Sequence, residues 1–452
     1  MREALKRVEA SNSRRLWELG KSTERMGIDR RRFIGTTVAA GIGLSAGVRA
    51  RPAPRGWAAA VQTGRSPDIV VVGAGTFGLW TALHLQRLGA RVTVIDAYGP
   101  ANSRSTSGGE TRGVRTSYGD REHGLHWTRW AGQAIERWIE WDELGRDRLL
   151  PRVFFTTGDL IMREETSQYI EQTRAQWDTV GTPYELLTAD EIEYRWPWIR
   201  FDNLGIALYE PAAGVVRARR ALESVAQVFE DEGGTIQIGR ASMGVRDGRS
   251  LQSVTVEGGD PLRGDITLFA CGPWFPKEFP SLMANRIRIS IGHVFYFALP
   301  PGDTRFAFPN MPSYGVPGCT GWPALPPDHR GFRVRTGGRP GDDPDTSDRW
   351  IPPESHERPR QVLERHFPDL VGAAINETRA CHYESSVTRN FIIDHHPDLD
   401  NVWLLGGGSA EAFKFGPVLG EYIAKRVLDM DDEPDLAEGF ALTDEEFGAR
   451  GR

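Results

Sequence analysis

The most regular pattern of apolar and polar positions in the chain runs from Asp68 to Asp96, DIVVVGAGTFGLWTALHLQRLGARVTVID. Ile69–Val72 is an apolar run without polar alternation that ends at glycine, which predicts a buried parallel strand. Leu79, Ala82, Leu85 and Leu88 then recur at helical spacing on one side, and Gly89 marks the end of that helix. Val92–Ile95 is a second apolar run, closed by Asp96. The first strand and the helix are joined by Gly73-Ala74-Gly75-Thr76-Phe77-Gly78. Strand, glycine turn, helix, strand and acid in this register predict a βαβ unit that holds a dinucleotide. Gly73 allows the tight turn, Gly75 lets backbone approach a pyrophosphate, and Gly78 lets helix and strand touch. Thr76 and Phe77 open the helix, whose N-terminal N–H groups face the phosphates. Asp96, about twenty residues on, is placed to accept bonds from a ribose hydroxyl. The motif alone does not choose between NAD and FAD.

Shorter strand patterns recur at Thr235–Ile238, Ser253–Val256, Thr267–Ala270 and Val402–Leu405. The third runs into Cys271-Gly272-Pro273-Trp274. The fourth runs into Gly406-Gly407-Gly408, with a helix expected from about Gly416. A second glycine-rich strand-to-helix turn near the C-terminus gives backbone access to an isoalloxazine ring and has no use in an NAD-linked dehydrogenase, so it favours FAD. No internal repeat or coiled coil is present. Residues 325–327 and the charged run 338–353 read as linkers, and acidic residues 431–446 as a solvated tail.

The N-terminus reads as a transport label. Arg30-Arg31-Arg32-Phe33-Ile34 fits a twin-arginine pattern, followed by an apolar Gly/Ala-rich segment (Gly35 to Val48) and a small-residue site at Ala58-Ala59-Ala60. The apolar segment is shorter than the roughly 20 residues that span a bilayer, so no stable membrane span is expected. The expectation is a folded protein exported by the twin-arginine translocase, periplasmic or extracellular, with Met26 as an alternative start. Residues 1–60 hold 13 Lys/Arg against 5 Asp/Glu, a net of +8; since the whole chain carries −6, the remainder carries −14. Nucleic acid is therefore a poor partner. Nearly all the positive charge is arginine. Cys271, Cys319 and Cys381 show no metal spacing, and no metal is expected. About 390 residues remain after the label, which suggests two intertwined domains.

At this point the chain resembles the D-amino-acid-oxidase superfamily of flavoenzymes, and within it the monomeric sarcosine oxidase and N-methyltryptophan oxidase group. Besides the βαβ unit, the resemblance rests on GGETRGVRTSYG (Gly108–Gly119), RWPWIRFDNLGIALYEPAAGVV (Arg195–Val216), FACGPW (Phe269–Trp274), RACHYESSVTRNFIIDHHP (Arg379–Pro397) and FKFGPVLGE (Phe413–Glu421). It covers about residues 66–430. It implies an α/β (α+β) fold in which a Rossmann-like FAD-binding domain (66–150, 206–285, 385–430) interleaves with a substrate domain on a large mixed, mainly antiparallel sheet (151–205, 286–384). Gly272, Gly407 and Gly408 fall to the cofactor side.

The resemblance also assigns roles. Cys381 stands where these enzymes attach FAD covalently. Lys414 and Arg115 match the two ligands of the substrate carboxylate, one a point charge and one a planar fork. Arg112 matches an arginine lying against the flavin, and Tyr314 a tyrosine lining the substrate pocket. The departures are Ser107 and Gly108 where relatives have a histidine pair, Glu411 in place of a histidine, Gly337 in place of another, and Arg333 where the family has an oxygen-activating lysine. The implied reaction is oxidation of the C–N bond of a carboxylate-bearing secondary or N-methyl amino acid to an imine, with O2 or another acceptor taking the electrons. An exported dehydrogenase serving a quinone or carrier, and a non-catalytic flavoprotein, are the alternatives.

Overall fold

The computed structural model describes residues 65–448 apart from 202, 431 and 432; the twin-arginine segment lies outside the described residues. The βαβ unit forms as its pattern predicts: strand Asp68–Val72, helix Thr76–Arg87, strand Arg91–Asp96. These strands are the centre of a six-stranded sheet. Its order in space is Ile392–His395, Val402–Gly406, Ile266–Phe269, Asp68–Val72, Arg91–Asp96, Thr235–Ile238, and every neighbouring pair is parallel except the first. The parallel strands are apolar on both faces because helices cover them. Gly73 turns with φ +111°, and a Cβ on Gly78 would lie 1.8 Å from the Gly73 carbonyl oxygen, so the turn closes only with glycine at 78.

A second sheet has eight strands. Ile375–Ser386, Ile287–Phe297, Phe332–Pro340, Cys319–Trp322, Ser313–Val316, Asp159–Arg163, Ile206–Glu210 and Glu185–Leu187 follow in that order, antiparallel except where Ser313–Val316 meets Asp159–Arg163. Both sheets fall in one compact unit. The chain passes between them several times, so residues distant in sequence meet where they face each other.

The periodicity misjudged several details. Leu88 does not share the buried side of the first helix: it is the C-cap and is 40% exposed, whereas Trp80 and Leu83 are buried and the helix is covered nearly all round. The C-terminal helix spans Ala412–Val427 and so begins about four residues before Gly416. It tolerates Pro417 in its second turn, losing one backbone bond there. Ile206–Glu210 pairs with Asp159–Arg163, so the return to nucleotide binding comes after that strand and not at 206. The run 338–353 is no free linker, since Asp345 accepts from Tyr98, Arg240, Trp274 and Lys277 together. The acidic tail is also docked. Helix Pro434–Gly439 buries Leu436 and brings in Phe440, which packs on Trp127, Trp130, Phe391 and Tyr422. Its carbonyl accepts from the Ile393 N–H at 2.8 Å. Two apolar residues four apart outweigh the acidic composition around them.

Phe440→Ala should lower the unfolding free energy by about 3–5 kcal/mol, as for other buried phenylalanines. Denaturant unfolding checks this; an unchanged midpoint would mean the tail is not docked in solution.

Candidate active site

One large cavity, of about 340 Å³, lies between the two sheets. At one end are Gly73, Gly75, Thr76, Phe77 and Asp96, at the carboxyl ends of the parallel strands; at the other are Arg115, Lys414, Tyr314 and Arg333. Arg112, Gly272, Cys381 and Gly408 line it as well. Folding therefore brings thirteen of the fifteen predicted positions to the cavity wall and leaves Gly78 and Gly407 outside the lining. Gly78 supports the turn from beneath, and Gly407 (φ +66°) backs onto Ser386 and Asn390.

The Asp96 carboxylate accepts from the backbone N–H groups of Ala74 and Tyr98, both at 2.8 Å, and burial pushes its pKa up against those bonds. Ser107, where relatives carry histidine, accepts the Thr76 N–H at 3.0 Å. The Gly73–Thr76 turn, the acid at the second strand end and the cavity running on toward Cys381 fit an extended dinucleotide, so the residues present suit FAD. Arg112 donates to the Thr111 carbonyl at 2.7 Å and lies 3.6 Å from the Cys381 sulfur.

Lys414 sits in the first turn of the C-terminal helix and is buried. Its ammonium meets the Glu411 carboxylate at 2.5 Å and lies 5.2 Å from the centre of the Tyr118 ring. Glu411 also accepts from the Tyr118 hydroxyl at 3.1 Å and has Arg121 at 3.8 Å. Burial would raise the Glu411 carboxyl, but Lys414, Arg115 and Arg121 outweigh it and hold the pKa at about 2. Burial lowers Lys414 to about 8, with Glu411 working against the drop. Arg115 lies 3.8 Å from Asp159, a buried carboxylate whose pKa burial raises.

Arg333 is buried with its guanidinium 3.5 Å from the centre of the Trp322 ring, and burial lowers its pKa to about 10. Tyr314 lines the cavity, as the resemblance implies, and is also tied into the sheet. Its hydroxyl donates to the Arg333 carbonyl at 3.1 Å and its ring stacks on Phe332, so it holds neighbouring strands in register. Sequence reasoning missed Asp159, Arg163, Arg335 and Glu384. Glu384 accepts from the Gly408 N–H at 3.2 Å and the Thr106 hydroxyl at 3.3 Å. Only Arg335 left a trace, the period of two from Arg333 along one strand.

Residues 68–426 match the family profile described as DAO, FAD dependent oxidoreductase. Monomeric sarcosine oxidase of Bacillus sp. (strain B-0618) is 25% identical over 386 residues, covering 82% of this chain and 94% of that protein. N-methyl-L-tryptophan oxidase of Escherichia coli O139:H28 (strain E24377A / ETEC) is 25% identical over 383 residues, covering 82% and 97%. The crystal structure of iminodiacetate oxidase from Chelativorans sp. BNC1 superposes with a TM-score of 0.69 at 21% identity, covering 83% of this chain and 99% of that one.

Carboxylate affinity at this site should fall as pH rises through about 8, because Lys414 loses its proton there. In Glu411→Gln the midpoint should move lower, since the charge that supports the ammonium is gone. Titrating the holoenzyme with acetate across pH checks both; a midpoint unmoved by the substitution would separate Glu411 from Lys414.

Proposed function

Because the chain belongs to the DAO family of FAD-dependent oxidoreductases, we propose that it oxidises the C–N bond of a secondary or N-methyl amino acid to an imine. The observation that carries this reading is the single cavity that joins a dinucleotide-binding turn to the buried cations Lys414 and Arg115. When bound, FAD supplies the two-electron acceptor for a hydride equivalent from the C–H beside nitrogen and passes the electrons to O2, which leaves as H2O2.

The residues would hold FAD along the cavity, with Gly75 and Thr76 toward the phosphates, Asp96 toward a ribose, and Cys381 as the point of covalent attachment. Arg115 and Lys414 would take the substrate carboxylate, the first as a planar fork and the second as a point charge. That fixes the orientation of the amine and of the C–H to be broken. The surrounding cations Arg112, Arg115 and Arg333 disfavour an ammonium, so the amine binds as its free base, with the lone pair that drives imine formation. Water then adds to the imine and the C–N bond breaks. Arg333 keeps its positive charge at neutral pH and would stabilise negative charge developing on O2.

Titration of the purified holoenzyme with N-methyl amino acids in the absence of oxygen should bleach the yellow flavin, and air should restore it with peroxide. Lys414→Met should slow bleaching by about 100-fold or more, the scale of a lost positioning contact. No bleaching by any amino acid would overturn the reading. Acid precipitation of the same protein should leave the colour in the pellet, and Cys381→Ser should release it to the supernatant; colour released from the unsubstituted protein would remove the covalent link.

A further inference from the structure

Two ion pairs stand at the substrate end of the cavity, and they are built differently. Lys414 and Glu411 meet at 2.5 Å, and that carboxylate also accepts from the Tyr118 hydroxyl. Arg115 and Asp159 stop 3.8 Å apart, too far for a hydrogen bond. Among the described residues, no hydrogen bond reaches the side chain of either one. Asp159 is only 7% exposed, and a buried carboxylate without hydrogen bonds is costly. The adjacent strand shows how this fold satisfies such a group. Glu210, paired with Asp159 in the sheet, accepts the Thr116 N–H at 3.0 Å and the Thr116 hydroxyl at 2.8 Å, and it does not line the cavity. Asp159 lines the cavity and has no such donors.

The open pair is the complement of an amino acid. Arg115 offers N–H donors without an acceptor, and Asp159 offers an acceptor without a donor. An α-amino acid carries an anion and an N–H donor one carbon apart. Glu411 and Glu384 cannot take the second part, because Lys414 holds one and Gly408 and Thr106 hold the other. Protonation makes the same demand. An alkyl amine in water is an ammonium up to a pKa of about 10, so the free base that forms an imine requires a proton to leave. Burial increases the affinity of Asp159 for a proton, with Arg115, Lys414 and Arg163 opposing it.

We propose that Asp159 is a catalytic residue that binds the amine of the substrate beside Arg115 and takes the proton the ammonium must lose. This rests on the amino-acid reading above, and the test separates the two. The ammonium gives one proton to the Asp159 carboxylate. The free amine then loses a hydride equivalent, two electrons and a proton, to the bound FAD and becomes a protonated imine. O2 takes the two electrons with that proton and the one held on Asp159, which gives H2O2 and restores the carboxylate.

The charged and titratable groups around Asp159 are Arg115, Lys414 and Arg163 in the cavity and Tyr209 and Glu210 on the adjacent strand. Lys414 titrates at about 8 and Glu210, pushed up by burial, at about 7. Both remain in an Asp159→Asn variant, so the comparison of the two proteins reports Asp159. Anaerobic bleaching of each holoenzyme by an N-methyl amino acid is followed by stopped flow between about pH 6.5 and 7.5. With Asp159 present the proton stays in the site, and the second-order rate constant should be nearly level. Asp159→Asn must draw the scarce free base from solution, so its constant should fall about ten-fold more steeply over that unit of pH. Equal slopes overturn the proposal and leave the amino-acid reading intact. Acetate bound about ten-fold more weakly by the variant would then make Asp159 a support for Arg115; the proposal expects acetate to bind at least as tightly, a like charge having been removed. A fall of about ten-fold in the unsubstituted holoenzyme also overturns the proposal, and serves if the variant does not fold. Bleaching by no amino acid overturns the proposal and the amino-acid reading together.

Discussion

The structure depends above all on the close packing of helix Ala412–Val427 against helix Thr76–Arg87. Trp80 lies where a Cβ on Gly416 or Gly420 would come within 2.5 Å of it. Its ring meets Trp138 edge-on at 5.5 Å, and Trp138 donates its indole N–H to the Lys414 carbonyl at 2.8 Å. Trp138 also stacks on Phe413, the residue before Lys414. The helix that follows the Gly73–Thr76 turn and the helix that carries Lys414 are thereby one packed unit. Densely packed interiors transmit small displacements, so the distance between the two ends of the cavity is set by tryptophans remote from the chemistry.

Charge placement forms the second layer. A buried lysine is costly unless a partner compensates it. Glu411, three residues earlier and at the helix N-cap, supplies that compensation and is itself tied to Tyr118 and Arg121. The ammonium thus lines the cavity while held by an internal partner. The eight-stranded sheet contributes the opposite wall, where alternation along Phe332–Pro340 turns Arg333 and Arg335 toward the cavity while Phe332 and Val334 enter the core.

The cofactor half was legible because its requirements are local. A turn that must close tightly, a helix N-terminus and an acid at a strand end all leave marks within thirty residues, and Gly73, Gly75 and Asp96 lie where the pattern put them. Arg115, Lys414 and Cys381 were legible only through resemblance, since nothing in their own neighbourhoods distinguishes them from surface or core residues. Asp159 and Arg163 were not legible at all. Their meaning comes from pairing with a strand distant in sequence, which sets Asp159 beside Ser313 and lets Arg163 reach the Gly315 carbonyl. Tyr314 lines the cavity as its motif position implied, but its bond to the Arg333 carbonyl could not be read from the motif, because it depends on the pairing of neighbouring strands. The acidic tail was misread because composition averages over Leu436 and Phe440, and two buried side chains decide where it lies.

The most direct test is a crystal structure of the holoenzyme with an inert monocarboxylate such as acetate bound. The account predicts the isoalloxazine ring between the parallel-strand ends and the eight-stranded sheet, with the carboxylate in hydrogen-bond reach of both Arg115 and Lys414. A carboxylate bound elsewhere, or a flavin ring that leaves Lys414 sealed against Glu411, would contradict it.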